Sequence, residues 1–154
     1  MTPPQLRIGA SYAAIKAQGI THIVFGDLFL EDIRTYREEK LAAIGMKGLF
    51  PLWKRNTRQL ADEMIESGLI AHLVCIDPRC LDRGFAGRCF DASLLRDLPP
   101  QVDPCGENGE FHTVVSAGPM YLDPIAVTVG IVIKRDGFVF ADIAPSYPRD
   151  LSPI

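Results

Sequence analysis

Three times in its first 76 residues the chain follows a helical pattern to a glycine and then turns to a short apolar run. The segment Gln5 to Gln18 follows a proline entry, carries Leu6, Ala10, Ala13, Ala14 and Ala17 on one side, and stops at Gly19. Ile20-Thr21-His22-Ile23-Val24-Phe25 then predicts a strand ended by Gly26-Asp27. A helix over about Glu31 to Ile44 follows, with Ile33, Tyr36, Leu41 and Ile44 as its apolar stripe and Gly45 as its stop. Leu49-Phe50-Pro51-Leu52-Trp53 predicts a second strand, its proline placing it at a strand end or an edge. Asn56 or Thr57 caps a helix to Ser67, closed by Gly68, and Ile70 to Ile76 is apolar enough for a strand buried on both faces. Strands alternating with helices in this way predict a parallel sheet with helices packed against it.

The second half has a different pattern. Asp77 to Pro104 is rich in Gly, Asp, Arg and Pro, with one short helix expected near Asp91 to Leu98, ahead of Pro99-Pro100. Strands are expected over Phe111 to Ser116, Ile125 to Lys134 and Phe138 to Asp142, the last two joined by an Asp136-Gly137 hairpin turn. The fold expected from the pattern is α/β: a parallel sheet with helices against it, then a smaller β-rich half. The boundaries are 1–78 for the α/β half, 79–144 for the β-rich half and 145–154 for a loose tail.

The net charge of -3 and the scattered basic residues give no electrostatic footprint for nucleic acid or an anionic membrane. The apolar runs are too short to cross a bilayer and the amino terminus has no signal pattern, so a cytoplasmic location is expected. Cys75, Cys80, Cys89 and Cys105 show no C-x-x-C spacing, and read as free thiols; a metal cluster drawing on His72 or His112 has little support.

Candidate chemistry lies in three places. Gly26-Asp27 sits at the carboxyl end of a predicted parallel strand, where ligands of open α/β sheets bind; Asp27 could equally cap the next helix. Trp53-Lys54-Arg55 sits at another such end, with Trp53 able to stack on a base or simply fill the core, and the two cations able to meet phosphate. Cys105-Gly106-Glu107-Asn108-Gly109-Glu110-Phe111-His112-Thr113 gathers two carboxylates, an amide, an imidazole and two glycines ahead of an apolar run. Such a set can bind a cation, orient a nucleophile or move protons, and predicts the rim of an active site; the plain alternative is a polar hairpin loop. A metal-dependent hydrolase using Glu107, Glu110 and His112 is a further reading of the same residues.

Three blocks, GDLFLEDIRTYREEKLAAIGMKGLFPLW, LVCIDPRCLDRGFAGRCFD and DPCGENGEFHT with a later GP, together resemble the diphthine–ammonia ligase family, PP-loop ATP pyrophosphatases of the adenine-nucleotide α-hydrolase-like group. The resemblance implies that residues 1–78 are a partial Rossmann-like (HUP-type) parallel-sheet domain that binds the nucleotide, and that residues 79–144 are a small β-rich α+β substrate-binding domain, the family's active site lying in the cleft the two share. It implies ATP and Mg²⁺, adenylation of a carboxylate acceptor (diphthine on elongation factor 2 in the family proper) and displacement of AMP by ammonia. Gly26, Asp27 and Trp53 would then lie near the nucleotide. Glu107, Glu110 and His112 would be catalytic, the two carboxylates binding the acceptor or Mg²⁺ and His112 transferring a proton or positioning substrate, and Asn108 and Gly109 would bind substrate. Glu110→Gln would abolish turnover with little loss of stability.

Two departures accompany the resemblance. No SGGKDS-type loop occurs in the sequence. Relative to the family the chain is expected to lack on the order of 60 residues, about two β-α units. The chain would then be a truncated or mis-started reading frame, or would pair with a partner chain supplying that loop, a homo-oligomer being a further expected partner state; the alternative is a non-catalytic nucleotide- or ligand-binding remnant. The motif itself departs too, with Asn108 and His112 where relatives tend to have Gly and Glu, and Gly26-Asp27 where they tend to have Gly-Ala.

Overall fold

The computed structural model describes residues 12 and 14–146. Residues 12 and 14–17 are helical; the rest of the expected first helix, and residues 147–154 of the expected tail, lie outside the described residues. The chain forms two compact units, Met1–Arg55 and Asn56–Ile154. The expected boundary lay after residue 78, and residues 56–78 fall in the second unit.

In the first unit, β1 (His22–Val24) pairs in parallel with β2 (Lys47–Leu49), and α1 (Glu31–Ala42) connects them. No side chain caps α1, but Glu31 and Asp32 in its first turn suit the positive end of the helix dipole. Leu41 is fully buried and, with Leu28 and Met46, makes the core of this unit. Ile33 and Tyr36, expected on the buried stripe, are instead exposed, as are Val24 and Leu49 on the two strands. The second strand is also not where the sequence placed it. It ends at Leu49, and residues 51–54 form a turn closed by Lys54 at φ 61.

The second unit begins with α2 (Thr57–Glu66), which Asn56 caps by accepting the Gln59 N–H at 2.9 Å. Next come β3 (Ile70–Ile76), a 3₁₀ turn (Arg83–Phe85), α3 (Ala92–Asp97), β4 (Phe111–Ala117), β5 (Val127–Arg135) and β6 (Phe138–Pro145). Pro145, expected in the tail, thus completes β6. The sheet order is β4-β3-β6-β5, antiparallel throughout. Here the expected architecture needs correction. The apolar run Ile70–Ile76 is a strand with the bounds expected, but it pairs with β4 and β6 and not with the parallel pair. A central strand is apolar whichever way its neighbours run, so composition alone left its partners open. The described fold is therefore mixed α/β, a two-stranded parallel sheet and a four-stranded antiparallel one.

Register assigns the faces of this sheet. Phe111, Ile76 and Val139 lie side by side, and all three join Leu73, Leu94, Leu95, Phe90 and Ala61 in the core. The neighbouring row, His112–Cys75–Phe140–Ile133, lies on the other face. None of these four belongs to the core cluster. One face is thus packed by α2 and α3, and the other carries a shallow groove of about 240 Å³ lined by Ile131, Ile133, Arg135, Phe140 and Asp142.

Candidate functional site

The segment from Asp103 to Glu110 is a loop organised by two of its three carboxylates, Asp103 and Glu110. Val102, 5% exposed, anchors its start in the core. Asp103 Oδ1 accepts the Cys105 N–H at 2.9 Å and the Glu107 N–H at 3.3 Å, and its carbonyl accepts the Gly106 N–H. Gly106 has φ 69, and a Cβ there would stand 2.9 Å from the Phe111 carbonyl oxygen, so no other residue fits without a shift. Gly109, φ 84, makes the second left-handed step, its N–H donated to the Gly106 carbonyl.

Those two reversals aim three N–H groups at Glu110. Oε1 accepts from the Asp103 N–H and from Asn108 Nδ2, and Oε2 accepts from the Asn108 N–H, each at 3.0 Å. The residue is 5% exposed. Burial alone would push its carboxyl up. The hydrogen bonds from Asp103, the Asn108 amide, its own N–H and the Asn108 N–H outweigh that, and the net shift is below the ordinary 4.5. Glu110 is a buried, ionised carboxylate satisfied from within its own loop. Glu107 is half-buried, while Asn108 and Gly109 are exposed at the tip.

The sequence allowed Glu110 and His112 to share a strand face if the strand had begun by then. It begins at Phe111, so Glu110 remains in the loop. His112 is exposed, in the row beside Cys75. Cys105 is no nucleophile. Its Sγ donates to the Thr57 carbonyl at 3.3 Å, and burial, with the charges of Asp103 and Glu107, pushes the thiol up to about 12.

Asp77 and Arg79 were missed by the sequence reading. Asp77 follows β3 directly, is 7% exposed, and donates its N–H to the Glu110 carbonyl at 2.8 Å, tying the loop to the strand end. Arg79 grips its carboxylate through Nε at 2.9 and 3.0 Å and Nη2 at 2.5 Å. The hydrogen bond from that guanidinium comes first among the causes holding the Asp77 carboxyl below its usual range. The available signal was Asp-Pro-Arg immediately after a strongly apolar strand.

In the first unit, Asp27 does not cap α1. Its Oδ2 stands 2.8 Å from Arg37 Nε, a contact close enough for an ion pair but misaligned for a hydrogen bond. Arg37 also lies over the Phe25 ring at 4.5 Å. Trp53 is half-buried, edge-on to Phe50, and the Arg34 guanidinium lies 4.6 Å from each of these two rings. Trp53 therefore packs with its neighbours while keeping part of its surface open. Gly26 is exposed with space for a Cβ, so its backbone does not demand glycine. Lys54 Nζ lies 3.6 Å from Glu31.

Among the described residues, no group of three or more His, Cys, Asp or Glu side chains is arranged to hold a metal ion, and no helix is long and apolar enough to cross a membrane. Glu110 does not fit as a magnesium ligand, because its oxygens already accept three N–H donors.

The loop, the strand it leads into and the two helices packed on the antiparallel sheet lie within residues 56–140, and those residues match the family model of the diphthamide synthase C-terminal domain. The chain belongs to this family. The match opens at the residue where the second compact unit begins. Diphthine–ammonia ligase of Schizosaccharomyces pombe is 31% identical over 106 residues, covering 66% of this chain and 18% of that protein. The Bos taurus and Homo sapiens proteins of the same name are each 29% identical over 121 residues, 75% of this chain and 45% of theirs. The chain thus spans less than half the length of these curated relatives. The family read from the three sequence blocks is the family found.

Proposed function

We propose that this diphthamide synthase-family chain carries the acceptor side of an ATP-dependent amidation like that named for its diphthine–ammonia ligase relatives. The observation that supports this reading is the Asp103–Glu110 loop, prearranged by Glu110 and tied to β3 through Asp77. A loop fixed this way presents Glu107 and Asn108 without needing to reorder when substrate binds.

A carboxylate is a poor acyl donor until adenylation gives it a leaving group, and ATP supplies that activation. In this reading Gly26, Asp27 and Trp53 of the first unit serve the nucleotide, and Asn108 and Gly109 meet the acceptor. Glu107 and His112 hold or move a proton as ammonia attacks, and Glu110 keeps the loop in place. Magnesium would travel with the ATP phosphates, and no step is assigned to a protein-held ion. In this reading the PP-loop, which these 154 residues do not contain, has to be present for turnover. The acceptor is diphthine on elongation factor 2, in keeping with the name of the relatives.

The test is formation of AMP and pyrophosphate from ATP, followed by ³¹P NMR, with diphthine-bearing elongation factor 2, ammonium and a PP-loop polypeptide present. Equimolar AMP and pyrophosphate that require the chain support the reading. If the chain binds nucleotide or acceptor but never raises AMP above background, it is a ligand-binding remnant of the family instead.

A further inference from the structure

We infer that Glu110 is a positioning residue, which turns the Asn108 carboxamide so that its carbonyl oxygen is the atom offered at the loop tip. The kinetic part of this inference rests on the proposed function; the geometric part does not. Asn108 Nδ2 donates to Glu110 Oε1 at 3.0 Å, while the Asn108 N–H donates to Oε2 at the same distance. A carboxylate accepts and does not donate, so it admits only the NH₂ end of the carboxamide on its side. The amide oxygen is left facing the open side of an exposed residue. The bond between the two side chains makes the outward atom an obligate acceptor.

Two consequences follow. The ligand group that meets Asn108 must donate a hydrogen, an N–H or O–H, whereas a carboxylate or phosphate oxygen is repelled. Glu110 also has little left to give a substrate. It is 5% exposed and its two oxygens already take three N–H donors, so a proton could reach it only after the loop came apart.

The experiment uses the full chain with Glu110→Gln, Glu110→Asp, Asn108→Ala and the Glu110→Gln/Asn108→Ala double variant. In ¹⁵N-resolved NMR of the wild type, the two Nδ2 protons of Asn108 should be well separated, with one shifted downfield by the carboxylate. In Glu110→Gln they should move part of the way towards the positions of a solvent-exposed asparagine, because a neutral amide oxygen holds Nδ2 more weakly than a carboxylate does, and Glu110→Asp should keep more of the shift. In the amidation assay, Glu110→Gln should raise KM about tenfold with kcat changed less than about threefold, and Asn108→Ala should do the same. The double variant should be no worse than either single one, because one residue acts through the other. An Asn108 side chain that looks solvent-exposed in the wild type overturns the inference. So does a kcat loss of roughly 10²-fold or more in Glu110→Gln that adds to that of Asn108→Ala, since that is the behaviour of a proton-transfer group. If no variant, wild type included, turns over, the proposed function fails, and the NMR result still decides the role of Glu110. Should Glu110→Gln not fold, Glu110→Asp carries both readouts.

Discussion

Replacing Glu110 by glutamine exchanges one carboxylate oxygen for an NH₂ group at a residue only 5% exposed. Glutamine can keep an oxygen towards the Asp103 N–H and Asn108 Nδ2, but its nitrogen must then face the Asn108 N–H, donor against donor. One charge-assisted hydrogen bond is lost, a second and third become neutral, and a part-buried N–H is left without an acceptor. Hydrogen bonds to charged groups contribute about 1.5–3 kcal/mol each, so a total loss of about 2–4 kcal/mol is expected. In a cooperative unit of roughly 100 residues that is a fall in Tm of about 10–20 °C. The effect has a pH signature. The folded carboxyl lies below its ordinary 4.5, so the stability it contributes is complete above that value and disappears as the pH falls through the depressed one. Thermal melts of wild type and variant should therefore differ by a constant amount from about pH 7 to 5.5 and converge below 4.5. A difference under 2 °C at neutral pH, or one that widens in acid, would refute the reasoning. The expectation from sequence, that this substitution spares stability, is replaced by this one.

The remaining predictions are smaller. Gly106→Ala should cost more than Gly109→Ala in urea denaturation, roughly 2–4 against about 1 kcal/mol. Both need a left-handed backbone, but only at Gly106 would the added Cβ meet the Phe111 carbonyl, at 2.9 Å; equal costs would show the loop is looser than described. Leu73→Ala, at a fully buried site on the central strand, should lose about 2–5 kcal/mol with the loop intact. Cys105, pushed from 9.0 to about 12, should hold about a thousandfold less thiolate than an ordinary cysteine at pH 8, and mass-resolved alkylation should find it the slowest of the four cysteines.

Much of the local structure could be read in the residues themselves. Asp136 and Gly137, with φ of 52 and 86, form the two-residue hairpin turn expected from their order, and Gly45 and Gly68 take the left-handed conformation that ends the helices before them. The bounds of β3 were legible because seven apolar residues between a glycine and Asp-Pro leave little choice. Its partners were not legible, because burial between two neighbours looks alike in parallel and antiparallel ladders. Trp53 was read into a strand because aromatic and apolar residues favour one, but Pro51 and the left-handed Lys54 make that segment a turn. At the candidate site the sequence identified the segment but not the division of labour within it. What sets Glu110 apart from Glu107 is a set of backbone N–H groups gathered by two left-handed glycines, and no side-chain pattern records where backbone donors converge. The tie from Asp77 to the Glu110 carbonyl is hidden for the same reason.

The central claim is that the Glu110-braced loop serves the acceptor in an adenylating amidation. It is tested most directly by ³¹P-detected AMP and pyrophosphate release in the complete mixture, comparing wild type with Glu107→Gln and His112→Ala, two residues outside the packed core. The account predicts acceptor- and ammonium-dependent release by the wild type and a loss of at least about 10²-fold in each variant, with melting temperatures unchanged. Release that needs neither acceptor nor ammonium, or that survives both substitutions at full rate, would contradict it.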